Sequence, residues 1–134
     1  MAKKILLVED DPINVRFMTV CLQKKGGFEV VVSEDVEEIL RLARETENLA
    51  GIIMDISLSR SHHDGKKVDG VYITRLIKAN EATAKIPIML ATAHAMFGDR
   101  EKFLAETGAE GYLSKPIHDP DAFIQSVQEV LGKA

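Results

Sequence analysis

The feature that most constrains the fold is a repeated alternation of short apolar runs with longer amphipathic stretches. The runs are rich in Val, Ile and Leu, and they lie at 5–8, 28–32, 51–54, 86–91 and 111–113. Strands that alternate with helices are typical of strand–helix units around a parallel sheet. The pattern therefore predicts an α/β fold, a doubly wound (βα)5 domain with a five-stranded parallel sheet whose central strands are covered on both faces.

The amphipathic stretches predict helices near 12–25, 35–47, 70–80 and 97–107, and a last helix that opens with Asp119 as N-cap and Pro120 at its first position. In the first helix, apolar side chains recur at helical spacing and predict the face that packs into the core. They are Ile13, Phe17, Val20 and Cys21. The fourth helix is the most polar and the least periodic, so we expect it to be the least firmly packed.

Composition argues against several classes of function. The net charge is -4 and no block is rich in Lys or Arg, so we expect no direct contact with nucleic acid or with an anionic membrane. The apolar run after the first lysines is far too short for a signal peptide or a membrane span. Cys21 is the single cysteine, which favours a reducing compartment. We therefore expect one cytoplasmic domain, residues 1–134.

Polar side chains follow four of the predicted strands, at the point where each strand ends. In strand order they are Glu9, Asp10 and Asp11, then Asp55, then Thr92, and then Lys115. Because the carboxyl ends of parallel strands meet at one edge of the sheet, we expect these side chains to lie close together. Clustered carboxylates repel one another unless a cation neutralises them. Oxygen ligands without His or Cys favour Mg2+ or Mn2+ over zinc.

A carboxylate, a lysine, a hydroxyl group and a magnesium ion together form a set for phosphoryl transfer. The metal and Lys115 would offset charge on the phosphoryl oxygens, Thr92 would donate a hydrogen bond to one of them, and Asp55 would attack. Asp11 fits better as the N-cap of the first helix than as a metal ligand.

Four motifs around these residues resemble those of the response-regulator receiver domain of two-component signalling. They are KILLVEDDP, IIMDISL, IPIMLATAHA and GYLSKPI, in the order of the family and spanning nearly the whole chain. The stretch ATAHAMFGDREKF is most similar to stand-alone, single-domain receivers of the cell-division and chemotaxis type. The resemblance implies a flavodoxin-like fold with the strand order 2-1-3-4-5.

The resemblance also implies a phosphorylation site and a metal site. It identifies Asp55 as the phosphorylated residue and Glu9 and Asp10 as the acidic pair that binds Mg2+, for which Mn2+ can substitute. Asp55 itself and the backbone carbonyl of Ser57 would complete the protein ligands.

Further residues are implied to respond to phosphorylation. Thr92 and Lys115 would contact the phosphoryl group, and Thr92 and Tyr112 would act as the switch. In the family the peptide bond before the matching proline is cis, which implies a cis bond between Lys115 and Pro116.

The function implied is that of a phosphoacceptor response regulator in a two-component or phosphorelay system. Asp55 would take a phosphoryl group from a phosphohistidine on a histidine kinase or a histidine phosphotransfer protein. The added charge would draw Thr92 inward and change the burial of Tyr112. The face formed by the fourth helix, fifth strand and fifth helix would then bind a downstream protein or a second copy of the chain, as a homodimer.

Two other functions could use the same residues. A Mg2+-dependent phosphatase with an aspartyl-phosphate intermediate characteristically has a second Asp two residues after the nucleophile, where this chain has Ser57. We therefore expect no enzyme beyond slow autodephosphorylation. An interaction protein that adopts the receiver fold and works without phosphorylation is the stronger alternative.

The chain departs from the family pattern after Asp55. Ser59 stands where proline is usual, and the Asp-Gly pair 69–70 comes several residues late, so that 59–67 is effectively an insertion beside the site. We interpret 57–69 as a polar, basic loop, and His62 and His63 as solvated loop residues, because adjacent side chains rarely face one metal. His94 fits an exposed loop residue as well as a role in water access to the phosphoryl group.

Overall fold

A parallel sheet forms the centre of the computed structural model, which describes residues 2–93, 96 and 98–134. Its five strands are β1 (Lys4–Val8), β2 (Glu29–Val32), β3 (Leu49–Asp55), β6 (Ile88–Thr92) and β7 (Gly111–Ser114). Two further strands, β4 (His62–His63) and β5 (Lys66–Lys67), form a separate antiparallel pair. The order in the sheet is β2-β1-β3-β6-β7, which confirms the predicted order because β6 and β7 are its fourth and fifth strands.

Helices cover both faces of this sheet. They are α1 (Pro12–Lys24), α2 (Val36–Glu45), α3 (Gly70–Ala79), α4 (Asp99–Thr107) and α5 (Pro120–Leu131). One apolar cluster joins α1 and α5 to the sheet, and a second joins α2, α3 and α4 to the other face. Within β1, Ile5 and Leu7 belong to the first cluster and Leu6 and Val8 to the second, as the alternation of side chains along a strand requires. This two-sided burial explains the continuous apolar runs.

Aspartates cap the amino ends of α1 and α5, as predicted. The side chain of Asp11 accepts a hydrogen bond from Ile13 N at 2.9 Å, and Pro12 occupies the first turn of α1. Asp119 caps α5 in the same way, with Pro120 at the start of the helix. The peptide bond between Lys115 and Pro116 is cis.

The prediction of which α1 residues pack into the core is wrong for three of the four. Ile13 is 79% exposed, Phe17 37% and Val20 42%. The helix buries an adjacent face instead, formed by Met18, Cys21 and Leu22. Because α1 is apolar on two adjacent sides, the helical period alone could not decide which side docks. An apolar surface therefore remains exposed at the start of this helix.

The predicted loop 57–69 contains a β-hairpin. β4 pairs antiparallel with β5, and the turn between them, Asp64 and Gly65, has φ values of 53° and 78°. Positive φ at both turn residues matches the turn twist to the strand twist, which makes Asp-Gly a strong hairpin signal. The loop prediction missed this signal.

The interpretation of His63 as a solvated residue is also wrong, because its side chain is only 17% exposed. His63 Nδ1 lies 2.7 Å from the hydroxyl of Tyr72, and Nε2 lies 3.4 Å from Glu37 Oε1. The hairpin is thus packed against α2 and α3, while the side chain of His62 is exposed.

Helix α4 presents little apolar surface to the core. Thr107 is its one buried residue within the described part of the chain, and glycines with positive φ, Gly98 and Gly108, stand at its two ends. Phe97, where we predicted the helix to begin, lies outside the described residues. Within those residues, no helix has both the length and the apolar character needed to cross a bilayer.

Candidate functional site

The carboxyl edge of the sheet brings the predicted site residues together. Asp55 ends β3 and Thr92 ends β6, while Glu9 and Lys115 directly follow β1 and β7. These four strands are neighbours in the sheet, so their ends form one continuous edge. Glu9, Asp55 and Thr92 are all buried.

Lys115 is the cation at the centre of the site. Its Nζ lies 2.7 Å from Glu9 Oε1 and 3.3 Å from Asp55 Oδ1, and all three side chains are almost completely buried. Buried carboxylates lose their hydration and need a partner, which this ammonium group provides for both.

Three carboxylates lie together at this point, and two of them, Glu9 and Asp55, contact the Lys115 ammonium group. Glu9, Asp10 and Asp55 each offer one oxygen, and these oxygens lie within 4.8 Å of one another. Arg60 also lies near Asp10, but its charge is paired with Glu34. Three negative charges against Lys115 therefore leave an excess of two, which one divalent cation would balance. The set contains only oxygen donors, which suits Mg2+ or Mn2+, so the residues fit the metal that the sequence implies.

The pKa values of Glu9 and Lys115 are both shifted by burial and by the charged groups beside them. Burial raises the pKa of the Glu9 carboxyl above its ordinary value, although the hydrogen bond from Lys115 opposes the shift. Burial alone would lower the pKa of Lys115, but the Glu9 and Asp55 carboxylates outweigh it and raise that pKa. The pKa of Glu9 is thus raised mainly because the group is buried, and the pKa of Lys115 is raised because two carboxylates lie beside it.

The inserted segment contributes contacts to Asp10 that sequence reasoning missed. Ser59 donates two hydrogen bonds to Asp10 Oδ2, from its backbone N at 2.7 Å and from its hydroxyl at 2.8 Å. Burial acts to raise the pKa of the Asp10 carboxyl, but these bonds and Arg60 lower it overall. The signal in the sequence was serine in place of proline, because proline has neither a backbone N–H nor a hydroxyl group.

The backbone around Asp55 is also closely fitted. Ser57 N donates a hydrogen bond to Asp55 Oδ1 at 3.0 Å, which orients the carboxylate. Gly70 begins α3 against the backbone of Asp55, and a side chain at this position would collide with the Asp55 carbonyl oxygen. This contact explains why glycine follows Asp69 after the insertion. The metal-ligand role of the Ser57 carbonyl stays a prediction.

Tyr112 lies beside the site on β7. Its ring stacks on Phe103 of α4, with ring centroids 6.4 Å apart and planes inclined by 13°. The hydroxyl group is buried and has no hydrogen-bond partner among the described residues, and burial raises its pKa. His94, a residue we considered for water access, lies outside the described residues.

Comparison with known proteins agrees with this geometry. Residues 5–128 match the sequence model of the response regulator receiver domain. The chain is 34% identical, over the full length of both proteins, to the polar-differentiation response regulator DivK of Brucella ovis and of Brucella abortus.

Solved structures share the fold. The receiver domain of a sensor histidine kinase from Pseudomonas aeruginosa PAO1 has a TM-score of 0.79 and 29% identity, over 99% of this chain and 100% of that chain. Its structure has a magnesium ion coordinated in the active-site cleft. The chemotaxis protein CheY4 of Vibrio cholerae has a TM-score of 0.80 at 23% identity, over 98% of this chain and 100% of that chain, and supports the fold alone.

Proposed function

The chain belongs to the response regulator receiver family, and on this premise we propose that its Asp55 accepts a phosphoryl group from a phosphohistidine. The observation that carries the proposal is the setting of the Asp55 carboxylate. It is buried at the end of β3, 3.3 Å from the Lys115 ammonium group and in one oxygen cluster with Glu9 and Asp10. A carboxylate so placed can act as a nucleophile toward phosphorus.

The hydrogen bonds of Asp55 suggest which of its oxygens attacks. Ser57 N and Lys115 Nζ both contact Oδ1, and Oδ2 has no such donor within the described part of the chain. Asp55 Oδ2 would form the new bond to phosphorus while the bond from phosphorus to the histidine nitrogen breaks. The imidazole then leaves with the electron pair.

The neighbouring residues have separate tasks in this step. Mg2+ held by Glu9, Asp10, Asp55 and the carbonyl of Ser57 would neutralise charge on the phosphoryl oxygens, and Mn2+ can replace it. Lys115 already bonds to the two buried carboxylates, so its ammonium group needs only a short movement to reach a phosphoryl oxygen. Thr92, at the end of the adjacent strand, would donate a hydrogen bond to another oxygen.

The exposed apolar surface of α1 is the proposed docking site for the phosphodonor. A shallow groove of about 530 Å³ runs over Pro12, Ile13, Arg16, Phe17 and Val20. It begins directly after the acidic residues of the site, and exposed apolar patches commonly mark protein interfaces. A histidine kinase or a histidine phosphotransfer protein would bury this surface while presenting its phosphohistidine to Asp55.

The response to phosphorylation would pass through β7 and α4. Tyr112 has a buried hydroxyl without a described partner, and α4 buries little of itself, so both can change position at low cost. Movement of Thr92 and Tyr112 would alter the face of α4, β7 and α5. That face would then bind a downstream protein or a second copy of the chain.

We also propose that residues 1–134 act as one receiver domain in the cytoplasm and not as a turnover enzyme. Ser57 supplies no general acid two residues after Asp55, and Cys21 is a free thiol, as a reducing compartment favours. A receiver-fold interaction protein that works without phosphorylation is the second candidate. Ser59 of the inserted segment donates two hydrogen bonds to Asp10, which the proline of the family pattern could not donate.

Intact-mass measurement tests the proposal. The protein is incubated with acetyl phosphate and Mg2+, beside Asp55→Asn and the matched control Asp64→Asn, which alters an exposed aspartate of the hairpin turn. One phosphoryl adduct is expected on the wild type and on the control, and none on Asp55→Asn or in the presence of a chelator. Absence of an adduct from the wild type would contradict the proposal and favour the interaction protein.

A further inference from the structure

The segment inserted after Asp55 reaches back to the acidic cluster through Ser59. Its backbone N and its hydroxyl group both donate to Asp10, at 2.7 and 2.8 Å. Two donors from one residue fix the position of this oxygen, and because the Asp10 side chain has only two rotatable bonds, the carboxylate is held in one orientation. The same carboxylate belongs to the oxygen cluster with Glu9 and Asp55.

Both donors act on the same oxygen of Asp10. They contact Oδ2, whereas Oδ1 accepts no hydrogen bond from any other residue that the structure describes. An ionised carboxylate can accept at both oxygens, so Oδ1 keeps its capacity to bind a cation. A cation at Oδ1 need not displace Ser59.

The insertion that carries Ser59 is fastened to the rest of the molecule. Arg60 Nη2 donates to the carbonyl of Asp10 at 2.7 Å and to Glu34 Oε2 at 3.0 Å. The buried hydroxyl of Ser61 donates to the carbonyl of Glu34 at 2.6 Å, and Val68 N closes the hairpin on the carbonyl of Ser61 at 3.0 Å. These contacts fix the direction from which Ser59 approaches Asp10.

We propose that Ser59 is a positioning residue for the divalent cation, which holds Asp10 by Oδ2 so that Oδ1 faces the site. The inference rests on the proposed function, since it assumes that Glu9, Asp10 and Asp55 bind Mg2+. Groups that orient a metal-binding carboxylate commonly contribute about 10- to 100-fold to metal affinity. The insertion thus supports the cation site with a contact that a proline at position 59 could not make.

Titration with MgCl2 without any phosphodonor tests the inference. Amide chemical shifts are followed at constant ionic strength in the wild type, Ser59→Ala and Ser59→Thr. Ser59→Ala loses the hydroxyl donor and is expected to raise the Kd for Mg2+ about 10-fold. Ser59→Thr keeps a hydroxyl group and is expected to restore affinity close to that of the wild type. Ser59→Pro loses both donors and is expected to weaken binding further.

Ser61→Ala is the matched control, because its hydroxyl group belongs to the same insertion but bonds to Glu34 and not to Asp10. It is expected to lower the melting temperature while its Kd stays within about two-fold of the wild type, since no contact to a metal ligand is lost.

The outcomes separate this inference from the function it rests on. A Kd for Ser59→Ala equal to or below that of the wild type would overturn the positioning role, and a lower Kd would mean that Ser59 competes with the cation. An equal loss in Ser59→Ala and Ser61→Ala would also overturn it, because the insertion would then act only as a whole. If the wild type itself shows no saturable response to Mg2+, the cation site of the proposed function fails as well.

Discussion

Two lysines of this molecule make nearly the same ion pair at opposite edges of the sheet. Lys78, near the end of α3, lies 2.7 Å from Glu110 at the amino edge, and Lys115 lies 2.7 Å from Glu9 at the carboxyl edge. The two lysine side chains are 13% and 8% exposed. The distance and the burial of the lysine are thus nearly the same in the two pairs, although Glu110 is 41% exposed and Glu9 only 1%.

Their remaining contacts separate them. Lys78 also donates to the carbonyl oxygens of Ala84 and Ile86, at 3.1 and 2.8 Å, and Glu110 also accepts from Ile88 N at 2.8 Å. One ammonium group faces one carboxylate, and neutral backbone groups supply further hydrogen bonds to both. The pair thereby fastens the end of α3 to the starts of β6 and β7.

At Lys115 the balance differs, because one ammonium group faces two buried carboxylates with a third close by. No geometry of Lys115 can neutralise this set. The comparison teaches that a buried ion pair supports the fold where charge and hydrogen bonds are complete. Where negative charge is left over, the same kind of pair is suited to the cation and the phosphoryl group that we propose for this site.

The largest effect is expected from a substitution that breaks the ion pair at the carboxyl edge. Lys115→Met leaves Glu9 and Asp55 buried without a cation, so we expect the free energy of unfolding in chelator to fall by about 3 kcal/mol. Added Mg2+ should recover a larger share of stability in this variant than in the wild type, because the metal replaces the missing charge. Urea denaturation with and without Mg2+ measures both. Equal gains from Mg2+ in the two proteins would contradict the charge-balance argument.

A smaller loss is expected at the amino edge. Lys78→Met removes the Lys78 donor from two backbone carbonyls and the cation from Glu110, which should lower the free energy of unfolding by about 2 kcal/mol. Glu110 is partly exposed, so water limits the cost. The loss should be the same with and without Mg2+, and acetyl phosphate should still label Asp55. A Mg2+-dependent loss in this variant would erase the distinction between the two lysines.

The smallest effect concerns pH. Because burial raises the pKa of Glu9 above its ordinary value of 4.5, the folded protein holds this proton more tightly than the unfolded chain does. The contribution of Glu9 to stability is therefore present at low pH and is lost as the pH rises through the folded-state pKa. In chelator, the free energy of unfolding of the wild type should fall relative to that of Glu9→Gln as the pH rises above 4.5. A difference that stays flat, or that moves in favour of the wild type, would contradict the raised pKa.

Much of this site could be predicted because its chemistry is local to strand ends. Asp55 and Thr92 end their strands, and Glu9 and Lys115 directly follow theirs. A parallel sheet brings such positions together whatever the loops do. The strands could also be predicted from local sequence, because burial on both faces of a sheet requires a continuous apolar run.

The failed predictions share a different cause. α1 has two adjacent apolar sides, and the sequence does not show that Met18 and Leu22 dock while Ile13 and Phe17 stay exposed. Ser59 and Asp10 are far apart in the chain, so their contact depends on how the insertion folds back. The hairpin was an exception, because its Asp-Gly turn could have been recognised from the sequence.

By itself, then, the sequence determined the alternation of strands and helices, the order of the four motifs and the residues at the carboxyl edge, because each depends on local periodicity or on position at a strand end. The tertiary structure alone decided which side of α1 is buried, where the insertion lies and which oxygen of Asp10 remains open. It also decided that Lys78 pairs with one carboxylate and donates to backbone carbonyls, whereas Lys115 faces an excess of carboxylates. These outcomes depend on contacts between distant segments, whose free energies are set by packing and charge in three dimensions and leave no period in the sequence.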